Sequence, residues 1–249
     1  MPITLANGCG ALRLIASGEP TAPSGVEMTE SERVQGQVRR SGASGAFQGG
    51  GTLFTEPILV VNQKTKIIEL SNEYSVFDAN GNRLGAVRQT GQSTLKKAAR
   101  LFTSLDQFMT HKLEIVDASG MPVLALTRPA KVFKSTVVVE RPDGTEVGRI
   151  AQENMVGKIR FGLESGGRRV GGIQGENWRA WNFAIKDESD VEVARITKTW
   201  EGVAGTLFTT ADHYVVQFHK QLEDPLRTLV VASALSVDTA LKQDKRGFN

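Results

Sequence analysis

Histidine is the side chain best suited to hold a metal or move a proton at neutral pH, and this sequence has three: His111, His213 and His219. The last two are six residues apart in a stretch that reads as a strand, roughly 20 Å at strand spacing, which is too far for one metal ion. No zinc site is expected. There is no Gly-x-Ser-x-Gly elbow and no phosphate-cradling loop ending in Gly-Lys-Ser/Thr, and Asp78 to Gly81 carries only the start of a calcium loop. Its acids read as turn formers, because an aspartate side chain accepts hydrogen bonds from the backbone just after it. No catalytic constellation emerges, so an enzyme is not expected. Cations are a different matter: Lys96, Lys97 and Arg100 gather on one side of a segment whose other side is apolar; such a segment is more often an ordinary surface helix packing its apolar stripe on the domain, but it can also lie on an anionic membrane surface.

That segment runs from Ser93 to Met109, with Leu95, Ala98, Phe102, Leu105 and Met109 on one helical stripe. It interrupts a long run of period-two patterning. Ile58–Val61 and Lys66–Leu70 flank Asn62, Gln63 and Lys64 and read as a short hairpin, after which Tyr74–Leu84 turns through Asn80-Gly81. The pattern repeats four times, with Gly120, Gly144, Gly167 and Asp190 at the turns. From Gly81 the spacings are 39, 24, 23 and 23, the long one holding the inserted helix. Finally, Asp224 caps and Pro225 opens a helix predicted over 225–241, apolar or small on every side from Leu229 to Val237. Its seventeen residues would measure about 25 Å and include Arg227 and Asp238. A helix plugging a barrel explains it better than a membrane span.

Of 26 glycines, ten fall at or before Gly51, in a stretch with no periodic apolar pattern. Residues 1–51 therefore read as a flexible Gly/Ser-rich tail, 52–244 as one domain and 245–249 as a short tail. A chain of 249 residues with 40% hydrophobic content can bury one substantial core. A net charge of +3 is too small for a chain that lives on phosphate-backbone contacts, so nucleic acid is not an expected partner. The lone cysteine, Cys9, has no intrachain disulfide partner, and the N-terminus lacks the pattern of a secretory signal. Both point to the cytoplasm.

One stretch exceeds what turns and alternation explain. Arg195 to Gly202, with Trp200, and Phe208 to Phe218, with Asp212, Tyr214 and Gln217, stand just before the apolar helix and closely resemble the C-terminal signature of the phospholipid scramblase family. Val60–Lys64, Asn72–Tyr74, and Leu113 to Asp117 through Gly120 to Arg128-Pro129 resemble the same family in the same order, so the similarity covers about Leu59 to Asp244. It implies a mainly β, tubby-like closed barrel of about twelve antiparallel strands around the C-terminal helix, of the kind shared with LURP-one-related proteins. It also implies phospholipid movement between leaflets, triggered by calcium in eukaryotic members.

Departures from the family pattern qualify that picture. Asp212 is kept, but Thr210 stands at the other acidic position, and His219, Lys220 and Gln221 replace an acidic stretch, leaving Glu223 and Asp224 as later acids. Calcium takes six to eight oxygens, so this remnant is depleted and no cofactor is expected. The family's cysteine clusters are absent from this sequence. The expected function is transbilayer phospholipid movement at the cytoplasmic face, with the protein peripheral at the inner face of the plasma membrane. The alternative is a soluble lipid-headgroup or protein-binding module that transports nothing. The expected partner is an anionic phospholipid surface, contacted by Arg128, Lys131 and Lys134 or by Lys96, Lys97 and Arg100, each able to pair with phosphate oxygens.

Overall fold

The structure is a computed structural model that describes residues 28–44, 49–63, 73–90, 110–129, 135–154, 160–177, 182–199 and 213–244, with side chains to residue 236 in the last helix. In chain order its elements are α1 (Glu30–Ser41), β1 (Ile58–Gln63), β2 (Glu73–Phe77), β3 (Arg83–Thr90), β4 (His111–Asp117), β5 (Pro122–Arg128) and β6 (Thr136–Glu140). There follow β7 (Glu146–Gln152), β8 (Arg160–Ser165), β9 (Arg168–Asn177), β10 (Asn182–Asp187), β11 (Glu192–Lys198), β12 (His213–Phe218) and α2 (Leu226–Asp244). The inserted helix expected over Ser93–Met109, the strand expected over Lys66–Leu70 and all three tryptophans lie outside the described residues.

One turn design is used four times, at Asp78–Asn82, Asp117–Met121, Arg141–Thr145 and Asp187–Val191. In each, the first N–H donates to the fifth carbonyl and the fourth N–H donates back to the first carbonyl, at 2.9 to 3.2 Å. The fourth residue has positive φ: Gly81 at 91°, Gly120 at 86°, Gly144 at 85° and Asp190 at 62°. A one-residue register shift follows each turn, the bulge that a three-residue hairpin loop requires. Aspartate side chains hold the loops from within. Oδ1 of Asp78 accepts from the backbone of Asn80 and Asn82, that of Asp117 from Ser119 and Met121, and that of Asp187 from Ser189 and Val191. These acids are turn formers, as their spacing predicted. A fifth turn joins β8 to β9 through Gly166 and Gly167, both at positive φ, the two-residue form that matches strand twist.

All twelve strands pair antiparallel with their neighbours, and β1 pairs with both β2 and β12, so the sheet closes into a barrel. Alternation sorts the side chains. Leu59 and Val61 of β1 join the inner core with Tyr214 and Val216 of β12, whereas Ile58, Val60 and Val215 belong to a second cluster on the outside. The barrel is filled by α2, in which Leu229 through Ala232 and Ala234 are fully buried and Leu235 is 1% exposed. The helix packs close against Gly148 of β7: a Cβ there would collide with the Glu164 carbonyl of β8 and meet Leu229 of α2 at 3.2 Å.

Three expectations are corrected. Residues 30–41 are not tail but helix, with a complete capping box between Thr29 and Glu32 and with Gly42 closing its C-terminus in the left-handed conformation. This helix lies on the outer wall, Val34 and Val38 packing with Ile58, Val60 and Val215. Two apolar residues one turn apart sufficed, a stripe too narrow to stand out among glycines. Asn62 and Gln63 are strand, not turn, because β1 continues to pair through Asn62↔His213 and Gln63↔Tyr74. The last helix begins at Leu226, since the Pro225 carbonyl already accepts the first helical bond from Leu229, and it runs on to Asp244.

Candidate functional site

Alternating strand direction gives the barrel two unlike ends. The tight turns and the entry to α2 occupy one. At the other, β3 ends at Thr90 and β4 begins at His111, β5 ends at Arg128 and β6 begins at Thr136, and β11 ends at Lys198 and β12 begins at His213. Lys96, Lys97 and Arg100, then Lys131 and Lys134, and then Asp212 belong to the segments between those strand ends and lie outside the described residues. Both basic clusters thus fall, in sequence, between strand ends that meet at the same end of the barrel.

Arg128 is placed differently from its expectation. It follows Leu124 and Leu126 on the inward-facing register of β5, is 4% exposed, and stands opposite His111 of β4, itself buried. A membrane surface cannot reach it. Period-two alternation, rather than its neighbourhood of cations, decides which way it faces. Of the acids of the calcium remnant, Asp212 lies outside the described residues, while Glu223 and Asp224 follow Phe218, the last residue of β12. Asp224 is already engaged, accepting from the Thr228 hydroxyl at 2.6 Å and from Arg141 at 3.0 Å. Burial pushes its carboxyl up, but those two hydrogen bonds and the charge of Arg141 outweigh burial and hold it below the usual carboxylate range. The histidines are likewise separate: Nδ1 of His213 meets Oδ1 of Asn62 at 2.9 Å beneath α1, and Nε2 of His219 meets Glu192 at 3.0 Å.

At the mouth of the barrel, at the tight-turn end, one side chain is out of step with its surroundings. Arg227, in the first turn of α2, is 5% exposed. One guanidinium nitrogen donates to the Glu56 backbone carbonyl at 2.7 Å, and the group lies 3.4 Å over the Phe218 ring. Its Nε has no hydrogen-bond partner among the described residues, and no carboxylate there comes within ion-pair distance. Burial pulls its pKa down to about 10, opposed in part by the charge of Glu56, so it remains a cation at neutral pH. Beside it opens a cavity of about 590 Å³. Phe54, Val123, Leu222 and two prolines give it apolar walls, and Arg141, Glu223, Asp224 and Thr228 stand with Arg227 as its polar lining. Sequence reasoning registered Arg227 as an interruption in an apolar helix; what it missed is that the interruption falls one residue inside the helix, where a plug meets the barrel mouth.

A family model described as Scramblase matches residues 51–241, from just before β1 into α2. Among curated proteins, the chain is 24% identical over 200 residues to a phospholipid scramblase family protein of Schizosaccharomyces pombe, covering 73% of this chain and 51% of that one. It is 25% identical over 204 residues to phospholipid scramblase 1 of Rattus norvegicus, covering 72% and 58%. The chain thus spans between half and two thirds of the length of these relatives. A solved structure of an Arabidopsis thaliana protein aligns with a TM-score of 0.46 at 16% identity, covering 76% of this chain and 99% of that one. The twelve-stranded closed barrel around a C-terminal helix is the architecture that the family resemblance implied, and with the family model spanning that whole barrel, the chain belongs to the scramblase family.

Proposed function

We propose that this protein interacts with phospholipid at the cytoplasmic face of a membrane and that transbilayer phospholipid movement is its activity. The match of the scramblase family model across 51–241 carries the reading. The protein acts on lipid by binding or translocation, without bond chemistry. Two features shape how. The interior is occupied, since α2 residues from Leu229 to Leu235 are buried against the inner wall, so lipid has no path through the barrel. No helix among the described residues is long and apolar enough to cross a membrane. Lipid contact then falls to the outer wall and to the two ends, with the basic clusters around Lys96 and Lys131 falling, in sequence, between strand ends at one of them.

The filled interior also favours a second reading, a headgroup-binding module that moves nothing. Reconstitution separates the two. Protein is added to liposomes carrying a fluorescent phospholipid in both leaflets, and the fraction accessible to an external quencher is measured. Translocation predicts that accessibility rises from about half towards completion; clear vesicle binding with the inner pool still protected establishes the module instead.

A further inference from the structure

Arg227 presents a physical anomaly. A guanidinium removed from water loses hydration that a paired anion ordinarily compensates, and buried arginines are ordinarily ion-paired. Among the described residues the compensation consists of one backbone carbonyl and one aromatic face, with Nε left over. An unpaired buried cation would be replaced by methionine or leucine at little cost to packing, were stability all it served. The cavity it lines is of ligand size, with apolar walls on one side. The acids nearby do not fill the role: Asp224 is bound to Arg141 and Thr228, the Glu56 carboxylate accepts the Gly51 N–H at 2.7 Å, and Glu223 sits on the lining without an ion pair to Arg227.

We propose that the cavity at the mouth of the barrel is a binding site for the anionic phosphate of an amphiphile, with Arg227 receiving the charge and Phe54, Val123 and Leu222 enclosing the apolar body. Arg141 on the rim supplies a second cation by exchanging Asp224 for the ligand. Its pair with Asp224 is half exposed on both sides and correspondingly weak, so exchange is cheap. The lipid form of this ligand rests on the phospholipid reading; the anion chemistry stands on the geometry alone. A phosphate reaching this cavity comes either from a lipid headgroup or from a free phosphate in solution, and the two are told apart by what the apolar walls contribute.

The test is calorimetric titration of the full chain with dihexanoyl phosphatidic acid kept below its micelle concentration, and separately with inorganic phosphate. Saturable one-to-one binding of the lipid is expected, weakened about tenfold or more by Arg227→Met, which removes the charge at similar volume. Val123→Trp, which narrows the mouth without touching any charge, is expected to abolish lipid binding while sparing inorganic phosphate. If Arg227→Met fails to fold, Val123→Trp and Arg141→Gln carry the test. Equal binding of lipid and phosphate, both lost in Arg227→Met, assigns the site to a free phosphate and overturns its lipid form. Lipid binding unchanged in both Arg227→Met and Val123→Trp, or no binding of either probe by the wild type at millimolar concentration, overturns the proposal. Scrambling in liposomes by a wild type that binds neither probe overturns the site and leaves the phospholipid reading standing. Binding in the cavity with neither scrambling nor vesicle binding removes that reading and leaves the site.

Discussion

Asp190 holds φ at 62° in the position where the three equivalent turns place glycine between 85° and 91°. The turn therefore accepts a short polar side chain in the left-handed region, and asparagine or aspartate is the type that tolerates it. Gly144 offers a clean test, because a Cβ there would meet nothing within 4 Å and any cost is conformational. Gly144→Asn is expected to change stability by less than about 0.5 kcal/mol in urea unfolding, and Gly144→Val to lose more than about 1 kcal/mol. Equal losses would mean that the loop is held by contacts rather than by dihedral preference. Asp224 bears on pH. Its folded-state pKa is depressed, so the stability it confers is present above its unfolded value, near the ordinary aspartate range, and is lost as pH falls through the lower folded value. Between about pH 4 and pH 2 the urea midpoint of Asp224→Asn is expected to fall less steeply than that of the wild type. At this scale the turns were legible, since a positive φ or an aspartate accepting from its own loop is a local matter. Arg227 was not: its significance depends on Phe218, Glu56 and the cavity, which sequence spacing does not bring together.

At the scale of elements, α2 and α1 mark the two extremes of burial. Because Leu235 is 1% exposed inside a filled barrel, Leu235→Asp buries an unpaired carboxylate, and a loss of about 3 kcal/mol or more is expected, read as a collapsed melting temperature. Unchanged melting would place the helix somewhere other than the interior. For α1 the anomaly is Gln37, which is fully buried with neither amide oxygen nor nitrogen hydrogen-bonded among the described residues. Replacing it by leucine removes a desolvation penalty of about 1 to 3 kcal/mol and adds apolar contact to Val34 and Val38. Hydrogen exchange of α1 is then expected to slow about tenfold or more in Gln37→Leu, relative to the β12 amides beneath it. No change would show that a partner satisfies the amide. The contrast also explains what could be read in advance. An all-round apolar helix announces itself from Leu229 to Val237, whereas α1 depends on two valines and on a capping box, Thr29 and Glu32, a signal faint amid glycines.

On the scale of the whole molecule the barrel is polar in the geometric sense, with one end of tight turns around the α2 entry and another bearing every long connection. Repeat spacing anticipated a hairpin array, because each hairpin is a local unit, whereas the count of about twelve strands came from the family resemblance; a closed antiparallel order leaves no free edge. Which strand ends meet at which end of the barrel follows only from strand direction in the assembled sheet. Membrane attachment should inherit the same asymmetry. Each cation near an anionic surface contributes about 1 kcal/mol, so a group of three supports attachment that salt disperses. Vesicle binding is accordingly expected to fall steeply between low and high ionic strength. Lys96, Lys97 and Arg100 replaced together by serine should weaken binding to anionic vesicles about tenfold or more without changing the melting temperature. Lys131 and Lys134 replaced together form the competing test, with Arg128 left in place because its burial would turn a surface experiment into an unfolding one. Vesicle binding retained by both variants would remove the cationic end from the account. Resistance to salt and alkali with release by detergent would mean that the chain inserts into the bilayer, and would require α2 to leave the barrel it fills.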